Sequence, residues 1–211
     1  MLCVDTWLGS KEHWEKPEEP SSDEWSHLNL QIRNGEPQFI NFFKRNVEDS
    51  GFGQQVEILR CPTQFSESKL RSRWADADLC YVDADHSLLA VYQDISLLHR
   101  CCPDATIFGD DYLWSGVRLA LAMFATRNRL KVFVDAKYGA SQWVIVDRGD
   151  AELQNEIHKR GWRRRRPISM ILEEARIYLG IRLPRLLRIT IDAVRSFAAS
   201  DKNLKSGTRS L

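Results

Sequence analysis

Four carboxylates and an imidazole close two short apolar runs. Leu79-Cys80-Tyr81-Val82 leads into Asp83-Ala84-Asp85-His86, and Ala105-Thr106-Ile107-Phe108-Gly109 leads into Asp110-Asp111-Tyr112. One helix-length segment separates the runs, so the pattern predicts a strand–helix–strand unit with parallel strands and a right-handed crossover. The carboxyl ends of neighbouring parallel strands lie about 5 Å apart, which crowds Asp83, Asp85, Asp110 and Asp111 on one rim. Like charges that close repel unless a cation, a proton or bulk water relieves them. A hard, oxygen-liganded cation such as Mg²⁺ is the natural relief. A single aspartate at a strand end often only caps the next helix. Four on adjacent ends point to a ligand site, because open α/β sheets bind ligands beyond the carboxyl ends of their strands.

The elements that position this rim follow from periodicity. Leu2-Cys3-Val4-Asp5 opens the chain as a strand, and residues 8–36 are polar and rich in Trp, Pro and Glu, as in a long functional loop with one short helix. Phe39, Ile40, Phe43 and Val47 set an apolar stripe for a helix over 37–49, with Pro37 suited to its first position and Ser50-Gly51-Phe52-Gly53 ending it. A strand over 56–59, a helix over 65–74 with Thr63 or Ser66 as cap, the strand 79–83 and a helix over 87–99 follow. Next come the strand 105–109, a helix over 114–128, and strands 130–134 and 142–146, which the turn-rich segment between them lets pair antiparallel. Alternating strands and helices predict an α/β fold with helices on both faces of an open sheet.

Composition adds boundaries. Residues 1–150 carry a net charge of −7 and residues 151–211 one of +8, so an acidic body precedes a basic tail. Cys3, Cys61, Cys80, Cys101 and Cys102 are odd in number and lack zinc-site spacing, which predicts reduced thiols and a cytoplasmic setting. No run approaches the ~20 apolar residues of a membrane span, and no signal peptide is expected before the first strand.

Two families resemble the acidic motifs. Asp83-Ala84-Asp85 after an apolar strand is similar to the nucleophile and acid pair of haloacid-dehalogenase-like phosphatases, and Gly109-Asp110-Asp111 to their metal-binding loop. That family also needs a Lys between the motifs and an acid soon after the second; neither is present here. The fuller match combines Met1-Leu-Cys-Val-Asp-Thr-Trp-Leu-Gly-Ser10, Tyr81-Val-Asp-Ala-Asp-His-Ser87 and Phe108-Gly-Asp-Asp-Tyr112. Over residues 1–148 the chain resembles class I S-adenosylmethionine-dependent methyltransferases, closest to small-molecule O-methyltransferases of the catechol and macrolide-sugar type. The resemblance implies a Rossmann-like sheet. Asp5 would bind the cofactor ribose, Thr6 and Trp7 would lie at the adenine, and Asp83 would sit at both cofactor and metal. Asp110 and Asp111 would complete a Mg²⁺ site, and Asp85 or His86 would be the catalytic base. The substrate would be the hydroxyl of a small molecule. Such chemistry needs a hydroxyl deprotonated and held in line with a sulfonium methyl.

The family's Gly-rich first strand, which lies centrally between its second and fourth, has no counterpart in these residues. The expectation is therefore a methyltransferase-like sheet incomplete at its N-terminus, either a truncated enzyme or a non-catalytic interaction module. Residues 149–211 are expected to form a basic helical extension with helices over 168–180 and 183–199 and a frayed end. It carries Trp162-Arg163-Arg164-Arg165-Arg166 and an apolar stripe of Ile168, Ile171, Leu172, Ala175, Tyr178 and Leu179. That stripe is expected to pack on the sheet or on a partner subunit in a homo-oligomer, with a partner protein or an anionic membrane surface as the alternative. The acidic body argues against nucleic acid.

Overall fold

A computed structural model describes residues 1–9, 32–33, 35–135 and 141–179. The short helix expected within 8–36, the helix at 183–199 and the polar end lie outside the described residues.

The first compact unit runs from Met1 to Pro167. Its elements are β1 (Leu2–Asp5), α1 (Phe39–Asp49), β2 (Glu57–Arg60), a 3-10 turn (Thr63–Phe65), α2 (Glu67–Arg73), β3 (Leu79–Val82), α3 (Leu88–Cys101), β4 (Thr106–Gly109), α4 (Ser115–Arg127), β5 (Lys131–Val134), β6 (Trp143–Val146), α5 (Ala151–Lys159) and β7 (Arg163–Arg165). The fold is mixed α/β, as the alternating pattern predicts.

The strands form two sheets. β1 pairs with β2 in parallel, and a five-stranded sheet runs in the order β3-β4-β6-β5-β7. β3 and β4 are parallel in the register Leu79 to Thr106 through Val82 to Gly109, so both acidic ends do reach one rim. β6 enters antiparallel between β4 and β5. Among the described residues no ladder joins β1 to β3, and each keeps one edge open. On β3 the burial alternates: Cys80 and Val82 face the core, while Leu79 is 66% and Tyr81 50% exposed.

The core lies where α3 and α4 cover β4, β5 and β6. Val91, Ile95, Ala120, Leu121, Phe124, Val132 and Trp143 are buried there. Ser87 caps α3 through its hydroxyl, which accepts from the Ala90 N–H at 3.4 Å. α1 carries the predicted stripe, yet none of its residues is fully buried.

The basic run departs from expectation. Gly161, with φ 92°, ends the turn after α5, and Arg163–Arg165 then pair antiparallel with Val132–Val134 as an edge strand. Ile157 of α5 joins Phe133, Val144 and Val146 in one apolar cluster, with Leu153 and Trp162 packed against it. α5 and β7, which the sequence assigns to a helical extension beginning at residue 149, thus belong with the sheet. Within this strand Arg165 is half-buried where it reaches the Tyr112 hydroxyl, while Arg163 and Arg164 stay exposed.

The second unit, Ile168–Leu211, is described through the helix α6 (Pro167–Leu179). Ile168, Ile171 and Leu172 of its apolar stripe are exposed. No helix among the described residues is long and apolar enough to cross a membrane.

Candidate functional site

The turn after β3 is built by its own side chains. Asp85 Oδ1 accepts the Ser87 N–H at 2.6 Å, so this carboxylate organises the entry to α3. His86 is thereby placed with its Nε2 at 2.7 Å from Asp111 Oδ2. Its ring stacks on Trp114 with centroids 4.8 Å apart and planes 21° from parallel. His86 Nδ1 is buried and has no hydrogen-bond partner among the described residues.

Asp111 owes its position to an unusual backbone. Its φ is 61°, in the left-handed region that non-glycine residues seldom occupy. Asp110 Oδ1 accepts the Asp111 N–H at 2.7 Å, and the Asp111 carbonyl accepts from the Trp114 N–H at 2.9 Å. From outside the turn, Arg118 donates to the carbonyls of Leu113 at 2.6 Å and Tyr112 at 3.4 Å. Arg165 of β7 donates to the Tyr112 hydroxyl at 3.0 Å and lies over its ring. Such clamps hold a strained turn that the free chain would not keep.

One donor atom each from Asp83, His86 and Asp111 lie within 4.8 Å of one another. Asp83 ends β3, where it accepts from the Tyr81 hydroxyl at 3.4 Å. Although Asp83 is exposed as a residue, its carboxyl is pushed above the usual range by partial burial first, and by the charges of Asp111 and Asp110 next. The Tyr81 phenol is pushed up to about 12 by partial burial and by the Asp83 charge, so it remains a donor.

Asp110 stands apart from this set of three. Its Oδ1 is occupied by the Asp111 N–H and by the Ser141 hydroxyl, and its main-chain carbonyl accepts from the Trp143 indole at 2.7 Å. It contributes charge to the rim while anchoring the turn. The sequence did not flag Ser141, Trp143, Trp114, Arg118 or Arg165. Arg165 sits in a run whose charge hides its single inward member, and Trp143 reads as an ordinary strand aromatic.

Of the predicted cofactor residues, Asp5, Thr6 and Trp7 cluster at the end of β1, whereas Asp83 follows β3. Asp5 Oδ1 accepts the Trp7 N–H at 2.6 Å and the Thr6 hydroxyl at 3.5 Å. Its second carboxylate oxygen has no partner among the described residues. Trp7 is left-handed at φ 61° and packs on Phe43 of α1 with centroids 4.7 Å apart. The Trp7 indole N–H is buried and has no partner among the described residues. With one oxygen open, the Asp5 carboxylate can accept from a ligand hydroxyl.

The donor set of two carboxylates and an imidazole fits a divalent cation. No known family model matches the chain, and no curated protein matches it either.

Proposed function

We propose that this chain is a methyltransferase-type domain that transfers a methyl group from S-adenosylmethionine to the hydroxyl of a small molecule with the aid of a divalent cation. The observation that carries this reading is the pairing of the parallel strands. Among the described residues β1 pairs with β2 and β3 with β4, and each leaves one edge open. That is the arrangement expected where the second and fourth strands of a Rossmann-like methyltransferase sheet flank a central strand that is not among the described elements.

The residues divide the work. Asp5 offers its open carboxylate oxygen to the ribose hydroxyls, with Thr6 and Trp7 beside the adenine. Asp83 and Asp111 hold the cation, with Asp110 completing the negative field. A bound cation supplies acidity and orientation to the acceptor hydroxyl. Asp85 and His86 stand at the proton-acceptor position, and Asp85 keeps its second oxygen for that task after Oδ1 takes the Ser87 N–H. Correct placement of both reactants can supply several kcal/mol of the barrier, on the order of 7–11 in favourable cases.

A second reading, a methyltransferase-like module that binds partners without catalysis, is favoured by the same open edges. The Gly51-Phe52-Gly53 turn follows the helix α1 and leads into β2, so among the described residues no Gly-rich strand-to-helix turn cradles the methionine portion of a donor. The test is formation of S-adenosylhomocysteine from S-adenosylmethionine over a panel of catechols, phenols and sugar hydroxyls, with Mg²⁺ and with Mn²⁺. Product that disappears in Asp83→Asn supports the enzyme. No product with any acceptor favours the non-catalytic module.

A further inference from the structure

The two proton-acceptor candidates are not equivalent. A general base must present a lone pair to the proton it takes. His86 has two ring nitrogens, and neither is free: Nδ1 is buried and Nε2 is engaged by Asp111 Oδ2 at 2.7 Å. The ring cannot turn freely to change this, because it is stacked on Trp114. Asp85, by contrast, is exposed and spends only one oxygen on its own turn.

The same geometry gives His86 a different task. Its donor atom converges with those of Asp83 and Asp111 within 4.8 Å, whereas the Asp110 carboxylate is drawn aside by the Ser141 hydroxyl and the Asp111 N–H. We propose that His86 is a metal ligand through Nε2, that Asp83, His86 and Asp111 form the coordinating set, and that Asp85 alone is the base. This rests on the metal-assisted reading above and changes its metal. Mg²⁺ takes oxygen ligands almost exclusively. An imidazole among two carboxylates shifts preference toward a transition ion such as Mn²⁺ or Zn²⁺. Three ligands from one rim leave coordination positions for an acceptor oxygen, as catalytic sites require. Trp114 is then a positioning residue that holds the imidazole toward the carboxylates.

The test is Mn²⁺ binding to the full chain, followed by electron spin echo envelope modulation of the bound ion, with neither S-adenosylmethionine nor acceptor present. The wild-type protein is expected to bind one Mn²⁺ that resists a hundredfold excess of Mg²⁺ and to show the ¹⁴N modulation of a coordinated imidazole. His86→Gln should lose that modulation and at least tenfold in Mn²⁺ affinity. Asp83→Asn should weaken binding while keeping the modulation, and Asp85→Asn should change neither. Circular dichroism of each variant establishes that it is folded. Absence of nitrogen modulation in the wild type, its persistence in His86→Gln, displacement by equimolar Mg²⁺ or failure to bind Mn²⁺ overturns the proposal. Because no methyl donor is used, a positive result here beside failed methyl transfer would remove the enzymatic reading alone.

Discussion

Trp143 donates its indole N–H to the main-chain carbonyl of Asp110 at 2.7 Å, from a side chain with no exposed surface. The antiparallel strand β6 thereby anchors the acidic end of β4, and the acidic turn begins from a fixed point. Replacing Trp143 with Phe removes the donor and leaves a carbonyl without its partner. The expected loss is about 1–3 kcal/mol, to which the smaller ring adds a cavity cost. Urea unfolding monitored by far-UV circular dichroism measures it.

Gly109 makes that approach possible. A Cβ there would lie 2.3 Å from the Val82 carbonyl oxygen and 2.5 Å from the Trp143 ring. Gly109→Ala is expected to push β3 and β4 apart and to cost about 3 kcal/mol. Thermal unfolding should show it as a large drop in Tm.

At Gly116 two effects oppose each other. Gly to Ala inside a helix ordinarily stabilises by about 1 kcal/mol. Here the new Cβ would meet the His86 carbonyl oxygen at 2.2 Å and the Leu88 nitrogen at 2.7 Å, both main-chain atoms that cannot step aside. Sterics win, so Gly116→Ala should be net destabilising and should displace the His86 turn. A Tm above that of the wild type would contradict the account.

Arg118 is 7% exposed and donates to the carbonyls of Tyr112 and Leu113. Arg118→Met keeps much of the volume but withdraws the charged donor from the loop that follows Asp111. Hydrogen bonds from a charged group contribute about 1.5–3 kcal/mol each. The variant is expected to lose stability in that range and to bind Mn²⁺ several-fold more weakly. Calorimetric titration with Mn²⁺ on the folded variant checks the second effect.

The rim was legible because strand ends are local: apolar runs ending on Asp83 and Asp110 give away both their direction and their cargo. Parallel pairing of β3 with β4 followed from the single helix between them, as did the antiparallel pairing of β5 with β6 from the turn that joins them. Insertion of β6 between β4 and β5 was not readable, because strand order depends on non-local packing. The choice of ligands was equally hidden. Asp110 and Asp111 are neighbours of identical type, and only the left-handed φ of Asp111 and the distant Ser141 hydroxyl send their carboxylates to different partners. The arginine run misled because charge suggested a solvated tail, whereas Tyr112 provides a seat for Arg165 across the sheet.

Asp94 predicts a pH effect away from the site. It is 6% exposed within α3, and burial raises its carboxyl to about 6 from 3.8, partly offset by a hydrogen bond from the Thr63 side chain. The folded state therefore holds this proton after the unfolded chain has released it. Stability from this group falls as pH rises between 3.8 and about 6 and is level above. Asp94→Asn should remove this dependence and stabilise the protein at pH 7 by on the order of 2 kcal/mol. Comparing urea unfolding of the two proteins from pH 3.5 to 7.5 gives the difference directly.

The central claim is that the β1 end and the acidic rim together are the two halves of a methyl-transfer site. Isothermal titration of S-adenosylmethionine into the full chain tests it most directly. The account predicts saturable one-to-one binding in the micromolar range, weakened at least tenfold by Asp5→Ala and little changed by Asp110→Asn. Absence of binding, or binding that Asp5→Ala leaves intact, would contradict it.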